Sequence, residues 1–64
     1  MKIVVNGEVQ DVSAKNLSEL LESQDFGSKV ATALNGTFVP IGARASTALS
    51  DGDLVEILSP MQGG

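Results

Sequence analysis

Two Asn-Gly pairs constrain the fold of this chain most strongly, because each predicts a tight turn between two β-strands. The first, Asn6-Gly7, separates the β-branched run Ile3-Val4-Val5 from residues 8–12, and the second, Asn35-Gly36, separates residues 30–34 from 37–39. Asn and Gly both tolerate the positive φ that a type I′ hairpin turn requires. A two-residue loop also fixes the pairing of the first hairpin. The expected partners are Val5 with Glu8, Val4 with Val9, Ile3 with Gln10, Lys2 with Asp11, and Met1 with Val12.

A short helix is predicted after the first hairpin. Leu17, Leu20 and Leu21 recur at the i, i+3, i+4 spacing that places apolar side chains on one helix face. Asn16 is the predicted N-cap, and Glu19 at the third helical position is expected to reach back to the cap amide. Gly27 is the predicted C-terminal stop. A helix of two to three turns is marginal alone, so it must pack on the sheet.

The second half of the chain adds three strands. Residues 30–34 and 37–39 form the second hairpin, and Pro40 ends it or confines it to a sheet edge. Residues 41–50 are expected to be a loop with one helical turn near residues 46–49. The turn Asp51-Gly52-Asp53 then leads into a last strand, residues 54–58, with Val55 and Ile57 facing inward.

These elements predict a two-layer α+β domain. One short helix covers one face of a mixed four- or five-stranded sheet, and the second strand, whose Gln10 opposes the core residue Ile3, is expected at an edge. The domain should span residues 1–59, with residues 60–64 as a flexible tail. The predicted core comprises Met1, Ile3, Val5, Leu17, Leu20, Leu21, Val30, Leu34, Val55 and Ile57.

The composition excludes several classes of protein. The 64 residues include no Cys and no His, which removes disulfides and the commonest metal ligand and general base. A net charge of −4 with two Phe and no Tyr or Trp argues against binding to duplex or single-stranded nucleic acid. The apolar runs are far too short for a membrane span, and the N-terminus resembles a strand rather than a leader. We therefore expect a cytoplasmic protein that binds no metal.

The remaining polar side chains offer no enzyme site. Lysine and serine are present, but no G-x-S-x-G elbow accompanies them. Asp51 and Asp53 lack the additional oxygen ligands of a calcium loop and are interpreted as turn residues. Glu19, Glu22 and Asp25 form an acidic helix face that is either simply solvated or meets a basic partner.

The last four residues, Met61-Gln62-Gly63-Gly64, are the most informative feature for function. Two residues without a Cβ make a thin segment that can enter a narrow channel. A terminal glycine carboxylate is ionised at pH 7 and is a poor acyl donor until it is activated, for example as an acyl-adenylate. A frayed end or a linker remnant would explain the same dipeptide without any function.

The chain resembles the ubiquitin-like β-grasp sulfur carriers, and in particular the ThiS family of thiamine biosynthesis. The resemblance covers the whole chain. It rests on Asn6-Gly7, Leu20-Leu21, Leu34-Asn35-Gly36, Phe38-Val39-Pro40, the segment 51–58 that begins Asp51-Gly52-Asp53, and the tail Ser59-Pro60-Met61-Gln62-Gly63-Gly64. It implies a β-grasp fold.

The resemblance also implies a function. In that family an E1-like adenylyltransferase uses ATP to adenylate the terminal glycine, which a sulfur donor protein converts to a thiocarboxylate (1-thioglycine) for thiazole synthase. Carried over, the modified residue is Gly64, and Gly63, Gln62 and Met61 enter the partner's active site. The chain is then a protein co-substrate rather than an enzyme and binds no cofactor itself.

Other interpretations remain open from the residues alone. The chain could be a small subunit of molybdopterin synthase, a protein conjugated to lysines, or an interaction module with an unmodified tail. Alternation along the last strand points Leu54, Glu56 and Leu58 away from the core. Together with Phe38 and Met61, we expect the two leucines to form an apolar partner surface beside the tail.

Overall fold

The computed structural model describes residues 1–24, 26 and 29–59. The elements in chain order are β1 (Lys2–Val5), β2 (Glu8–Asp11), α1 (Leu17–Ser23), β3 (Ala31–Leu34), β4 (Thr37–Val39), a 3₁₀ helix (Ile41–Ser46) and β5 (Leu54–Leu58). The five strands form one sheet in the order β2-β1-β5-β3-β4. β1 and β5 are parallel, and the other neighbours are antiparallel. The mixed sheet with one α-helix confirms the predicted fold class, and β2 lies at an edge as expected.

Both Asn-Gly turns form as predicted. Asn6 and Asn35 each have φ of 51°, and Gly7 and Gly36 follow with φ of 87° and 85°. Consecutive positive φ values are those of a type I′ turn, whose twist matches that of the flanking strands. The first hairpin pairs Lys2 with Asp11 and Val5 with Glu8, which is the predicted register. The turns therefore determine the pairing of four of the five strands.

The helix is capped at its N-terminus as the sequence indicates, with one difference. The Asn16 side chain accepts a hydrogen bond from the Glu19 amide at 2.8 Å. The Glu19 carboxylate, however, accepts from the Lys15 amide at 2.9 Å and not from the cap amide that was predicted. The helix ends at Ser23 with Gln24 as its C-cap, so it is shorter than a stop at Gly27 implied. Gly27 itself lies outside the described residues.

The core lies between α1 and one face of the sheet. Leu17 and Leu20 are completely buried against a layer of sheet residues. The buried hydrophobic residues are Ile3, Val5, Ala14, Leu17, Leu20, Leu21, Val30, Val39, Leu49, Val55 and Ile57. Leu34 packs against them while half-buried. Most of the predicted core is confirmed, and Ala14, Val39 and Leu49 were not predicted.

Two further sequence predictions are wrong. Met1 was predicted in the core because alternation along the strand places it on the same side as Ile3. It lies before the first residue of β1, at the end of the sheet, and is 38% exposed. The helical turn expected near residues 46–49 lies earlier, as the 3₁₀ helix that begins directly after Pro40. The fixed φ of Pro40, −69°, suits the entry into a helical turn, and its carbonyl accepts from the Ala43 amide at 2.9 Å. Leu49 lies beyond this helix and fills the core instead.

A buried arginine ties the 3₁₀ helix to the second hairpin. Arg44 is 4% exposed, and its guanidinium donates to the Thr32 hydroxyl at 3.2 Å and to the Val30 carbonyl. The Thr32 hydroxyl in turn donates to the Val39 carbonyl at 2.9 Å. A charged group tolerates burial only when its donors are satisfied. This network therefore holds β3, β4 and the 3₁₀ helix as one unit.

Gln10, which faces inward on the edge strand, also finds a polar partner. Its side-chain oxygen accepts from the Gln24 side chain at 2.7 Å, directly after the end of α1. The mismatch with Ile3 on the neighbouring strand is therefore resolved by a hydrogen bond between the sheet edge and the helix end.

Candidate functional site

The sheet face opposite α1 is open and largely apolar. Because α1 and the 3₁₀ helix cover only the inner face, side chains of the opposite parity remain exposed. Phe38, Leu54 and Leu58 are 66%, 53% and 67% exposed, and Val9 is 68% exposed. We call Val9, Phe38, Leu54 and Leu58 the open apolar face. An exposed apolar patch on so small a domain is typical of a binding surface.

The sheet register arranges this face in rows. Val9 on β2 lies opposite Val4 on β1, and Val4 lies beside Leu54 on β5. One row further along β5, Glu56 is opposite Ala33, which is opposite Phe38. Leu58 forms the last row, opposite Ala31. The structure thus brings the predicted surface residues Phe38, Leu54 and Leu58 onto one face, with the Glu56 carboxylate in its middle.

Small residues on β3 leave a groove in this face. Ala31 and Ala33 line its floor, and Phe38 and Leu58 lie at its sides. A longer apolar side chain from a partner could enter there, because no bulky side chain projects from β3. Val9 is the part of the face that sequence reasoning missed. The predicted pairing of Val9 with Val4 was the available signal, since cross-strand partners point to the same side of a sheet.

The described part of the chain ends beside this face. β5 is the central strand, and its last residue, Leu58, is followed by the exposed Ser59. Met61, Gln62, Gly63 and Gly64 lie outside the described residues. A partner seated on the open apolar face would therefore lie close to Leu58 and Ser59, the last two described residues.

The charges around the site are sparse. At the far end of the face, the Asp11 carboxylate is within 3.3 Å of the N-terminal ammonium and 3.4 Å of the Lys2 ammonium. The hydrogen bond from the N-terminus, followed by that from Lys2, lowers the pKa of Asp11 below its ordinary value. Among residues 1–24, 26 and 29–59, no group of three or more acidic side chains is arranged to hold a metal ion. The described part of the site therefore consists of the open apolar face with an ion-paired carboxylate at its far end.

Comparison with known proteins identifies the family. The ThiS family model matches residues 3–64, which is nearly the whole chain and includes both terminal glycines. The chain belongs to the ThiS family. The match extends through the tail as well as the folded part.

Solved structures of one relative support the assignment. The crystal structure of the thiamine biosynthesis protein ThiS from Geobacter metallireducens is 35% identical, covers both chains completely and superimposes with a TM-score of 0.85. The solution structure of the thiamine biosynthesis protein from the same organism gives a TM-score of 0.82 over the whole of this chain and 88% of the other, also at 35% identity. The β-grasp architecture is therefore shared by this ThiS-family chain.

A curated relative links the sequence to a larger protein. The thiazole synthase of Paramagnetospirillum magneticum is 39% identical over 66 residues, which cover all of this chain but 20% of that protein. The chain thus spans about one fifth of the length of this relative.

The helices in the described part of the chain were compared with the length and hydropathy that a membrane span requires. Its one α-helix, Leu17–Ser23, is too short to cross a bilayer, and no described helix has the length and hydropathy of a span.

Proposed function

We propose that this chain is a sulfur carrier of thiamine biosynthesis, and that the sulfur is carried as a thiocarboxylate on Gly64. The observation that carries the proposal is the match of the ThiS family model through residue 64 on a domain of β-grasp architecture. On this proposal the chain is a co-substrate of other enzymes, in keeping with the absence of Cys and His from its sequence.

The chemistry would proceed in two steps on the Gly64 carboxylate. An oxygen of the carboxylate attacks the α-phosphate of ATP in an E1-like adenylyltransferase, and pyrophosphate leaves. A hydrosulfide ion released by a donor protein then attacks the acyl carbon, the bond to AMP breaks, AMP leaves, and loss of the sulfur-bound proton gives the thiocarboxylate. Holding the carboxylate next to ATP makes the first step effectively intramolecular. The missing Cβ atoms of Gly63 and Gly64 leave room for this approach.

The open apolar face would dock the domain on its partners. Phe38, Leu54 and Leu58 are large, exposed and adjacent to the end of β5. Ordering a tail of several residues costs roughly 1–2 kcal/mol per residue, and contacts made by a folded domain can offset that cost. Met61 and Gln62 would then lead Gly63 and Gly64 into the partner's active site.

Thiazole synthase is the proposed sulfur acceptor. A segment similar to this chain occupies one fifth of a protein named thiazole synthase, so carrier-like and synthase-like sequence occur in one polypeptide there. That arrangement supports thiazole synthase as the protein that receives the sulfur. The acceptor can be tested directly, since thiocarboxylate on this chain should disappear when thiazole synthase and its other substrates are added.

Intact-mass measurement tests the central step. The purified chain is incubated with ATP, an E1-like enzyme of a thiamine pathway and a sulfur source, and the expected product has one oxygen replaced by sulfur. Deletion of Gly63-Gly64 should abolish the product while leaving the melting temperature nearly unchanged. Gly64→Val should fold normally but react poorly, because a β-branched side chain crowds the carbonyl. A truncated chain that still supported sulfur transfer would refute the carrier function.

The docking surface is tested by a charge on the open apolar face. Leu58→Asp should weaken binding to the activating enzyme, because it buries a carboxylate in an apolar contact. Ile41→Asp is the matched control, since Ile41 is also exposed (63%) but lies in the 3₁₀ helix. Equal affinities for the two variants would contradict the proposed surface.

A further inference from the structure

The two sides of β5 are held differently at the end from which the tail leaves. On one side β3 pairs with β5 as far as Leu58. On the other side β1 pairs only as far as Val55, because β1 ends at Val5 and the chain turns away at Asn6. The last part of β5 on this side therefore extends beyond the strand that accompanies it.

The Asn6 side chain continues the ladder where β1 stops. The backbone amide of Asn6 donates to the Val55 carbonyl at 2.9 Å, as the amide of the next residue in a parallel strand would. In such a strand the Asn6 carbonyl would then accept from the Ile57 amide. Here the side-chain oxygen accepts that bond at 2.8 Å, and the side-chain nitrogen donates to the Ile57 carbonyl at 3.1 Å. The carboxamide thus takes the place of a peptide group.

We propose that Asn6 is a positioning residue for the tail. By holding both backbone groups of Ile57, it fixes the end of β5, after which residues 60–64 follow in the sequence. The inference rests on the proposed carrier function. Without this hold, the backbone amide and carbonyl of Ile57 would lose these partners, and the end of β5 would be secured from the β3 side alone. More of the chain would then have to be ordered each time the tail enters a partner.

The second Asn-Gly turn supplies an internal control. Asn35 has the same φ of 51° as Asn6, and its backbone amide donates to the Leu54 carbonyl at 2.7 Å. Its side-chain oxygen accepts from the Leu54 amide at 3.0 Å, which is the same substitution of a side chain for a peptide carbonyl. Leu54 is at the start of β5, so this bond supports the strand without being near the tail.

The experiment compares Asn6→Gly with Asn35→Gly. Glycine tolerates the positive φ at both positions, so each turn is kept and each loses its carboxamide. Amide hydrogen exchange should be faster at Ile57 in Asn6→Gly and at Leu54 in Asn35→Gly. The kcat/KM for adenylation should fall in Asn6→Gly relative to Asn35→Gly by roughly fivefold to thirtyfold, the effect of ordering about one more residue.

Two further variants separate positioning from folding and docking. Asn6→Asp keeps the acceptor for the Ile57 amide and loses the donor, so its rate should lie between those of the wild type and Asn6→Gly. Two chains that both lack Gly63-Gly64, one with Asn6→Gly and one with Asn6 kept, should bind the activating enzyme with equal affinity, because the open apolar face is unchanged.

The outcomes are distinguishable. If the wild-type chain is not adenylated, the carrier function fails and this inference fails with it. If the wild type is adenylated and Asn6→Gly and Asn35→Gly react at the same rate, the inference alone is overturned. Unchanged exchange at Ile57 in Asn6→Gly would also overturn it, whatever the adenylation rates are.

Discussion

Leu20→Ala is expected to remove most of the stability of this domain. Leu20 has no solvent exposure and lies on the face of α1 that packs against the sheet. Truncating such a leucine costs about 2–5 kcal/mol, from lost transfer free energy and from the cavity that remains. At about 0.05–0.15 kcal/mol per residue, a chain of 64 residues has a free energy of unfolding of roughly 3–10 kcal/mol. The variant should therefore be barely folded or unfolded.

Urea denaturation followed by circular dichroism measures this effect. The midpoint should shift downward by about 1 M or more, since the free energy of unfolding changes by roughly 1–3 kcal/mol per molar urea in small domains. Leu58→Ala is the matched control, because it makes the same chemical change at a side chain that is 67% exposed. Its free energy of unfolding should stay within about 0.5 kcal/mol of the wild type. Equal midpoints for the two variants would refute the assignment of Leu20 to the core.

Three further perturbations test other features of the fold. Arg44→Ala leaves the Val30 carbonyl without its guanidinium donor and should lower the free energy of unfolding by about 1–3 kcal/mol in the same urea assay. Asp11 has a pKa lowered by the N-terminal ammonium and by Lys2, so its stabilising effect is present above pH 3.8 and lost as the pH falls through the lowered value. The difference in melting temperature between wild type and Asp11→Asn should accordingly shrink in acid. Gly36→Ala places a Cβ in open space but at φ of 85°. The free energy of unfolding should therefore fall by about 1–2 kcal/mol, which is the cost of the left-handed backbone conformation alone.

The parts of the fold that sequence predicted well are those set by local physics. An Asn-Gly pair determines a turn and a register through φ alone, and the spacing of Leu17, Leu20 and Leu21 determines which helix face is buried. Alternation along β5 separates Val55 and Ile57 from Leu54 and Leu58, and this period of two is enough to assign the two leucines to the open apolar face. The assignment of function depended on the resemblance of the whole chain to a family and not on these periodicities.

The parts that were missed depend on tertiary partners. Arg44 has the sequence context of a surface cation in a run of small residues, yet it is buried because the Val30 carbonyl and Thr32 hydroxyl accept its donors. Leu49 has Ala45 as its one apolar neighbour at helical or strand spacing, which is too weak a pattern to mark it as core. The role of Asn6 was likewise invisible, since the sequence explains the residue fully by its turn conformation. What its side chain does is shown by its two hydrogen bonds to Ile57, a residue 51 positions away in the sequence.

The parallel pairing of the first and last strands also determines how the domain responds to mechanical load. β1 and β5 are neighbours that run in the same direction, so a force that pulls the chain beyond Ser59 away from the N-terminus acts along the strands. The hydrogen bonds between β1 and β5 then resist the force in shear together, from the Val4 amide bond to Asp53 through the two Asn6 side-chain bonds to Ile57. A hairpin pulled from its open end, by contrast, loses its hydrogen bonds one pair at a time. A pull between the N-terminus and Ser59 should therefore need a larger force to separate β1 from β5 than the same pull needs to open a hairpin from its end.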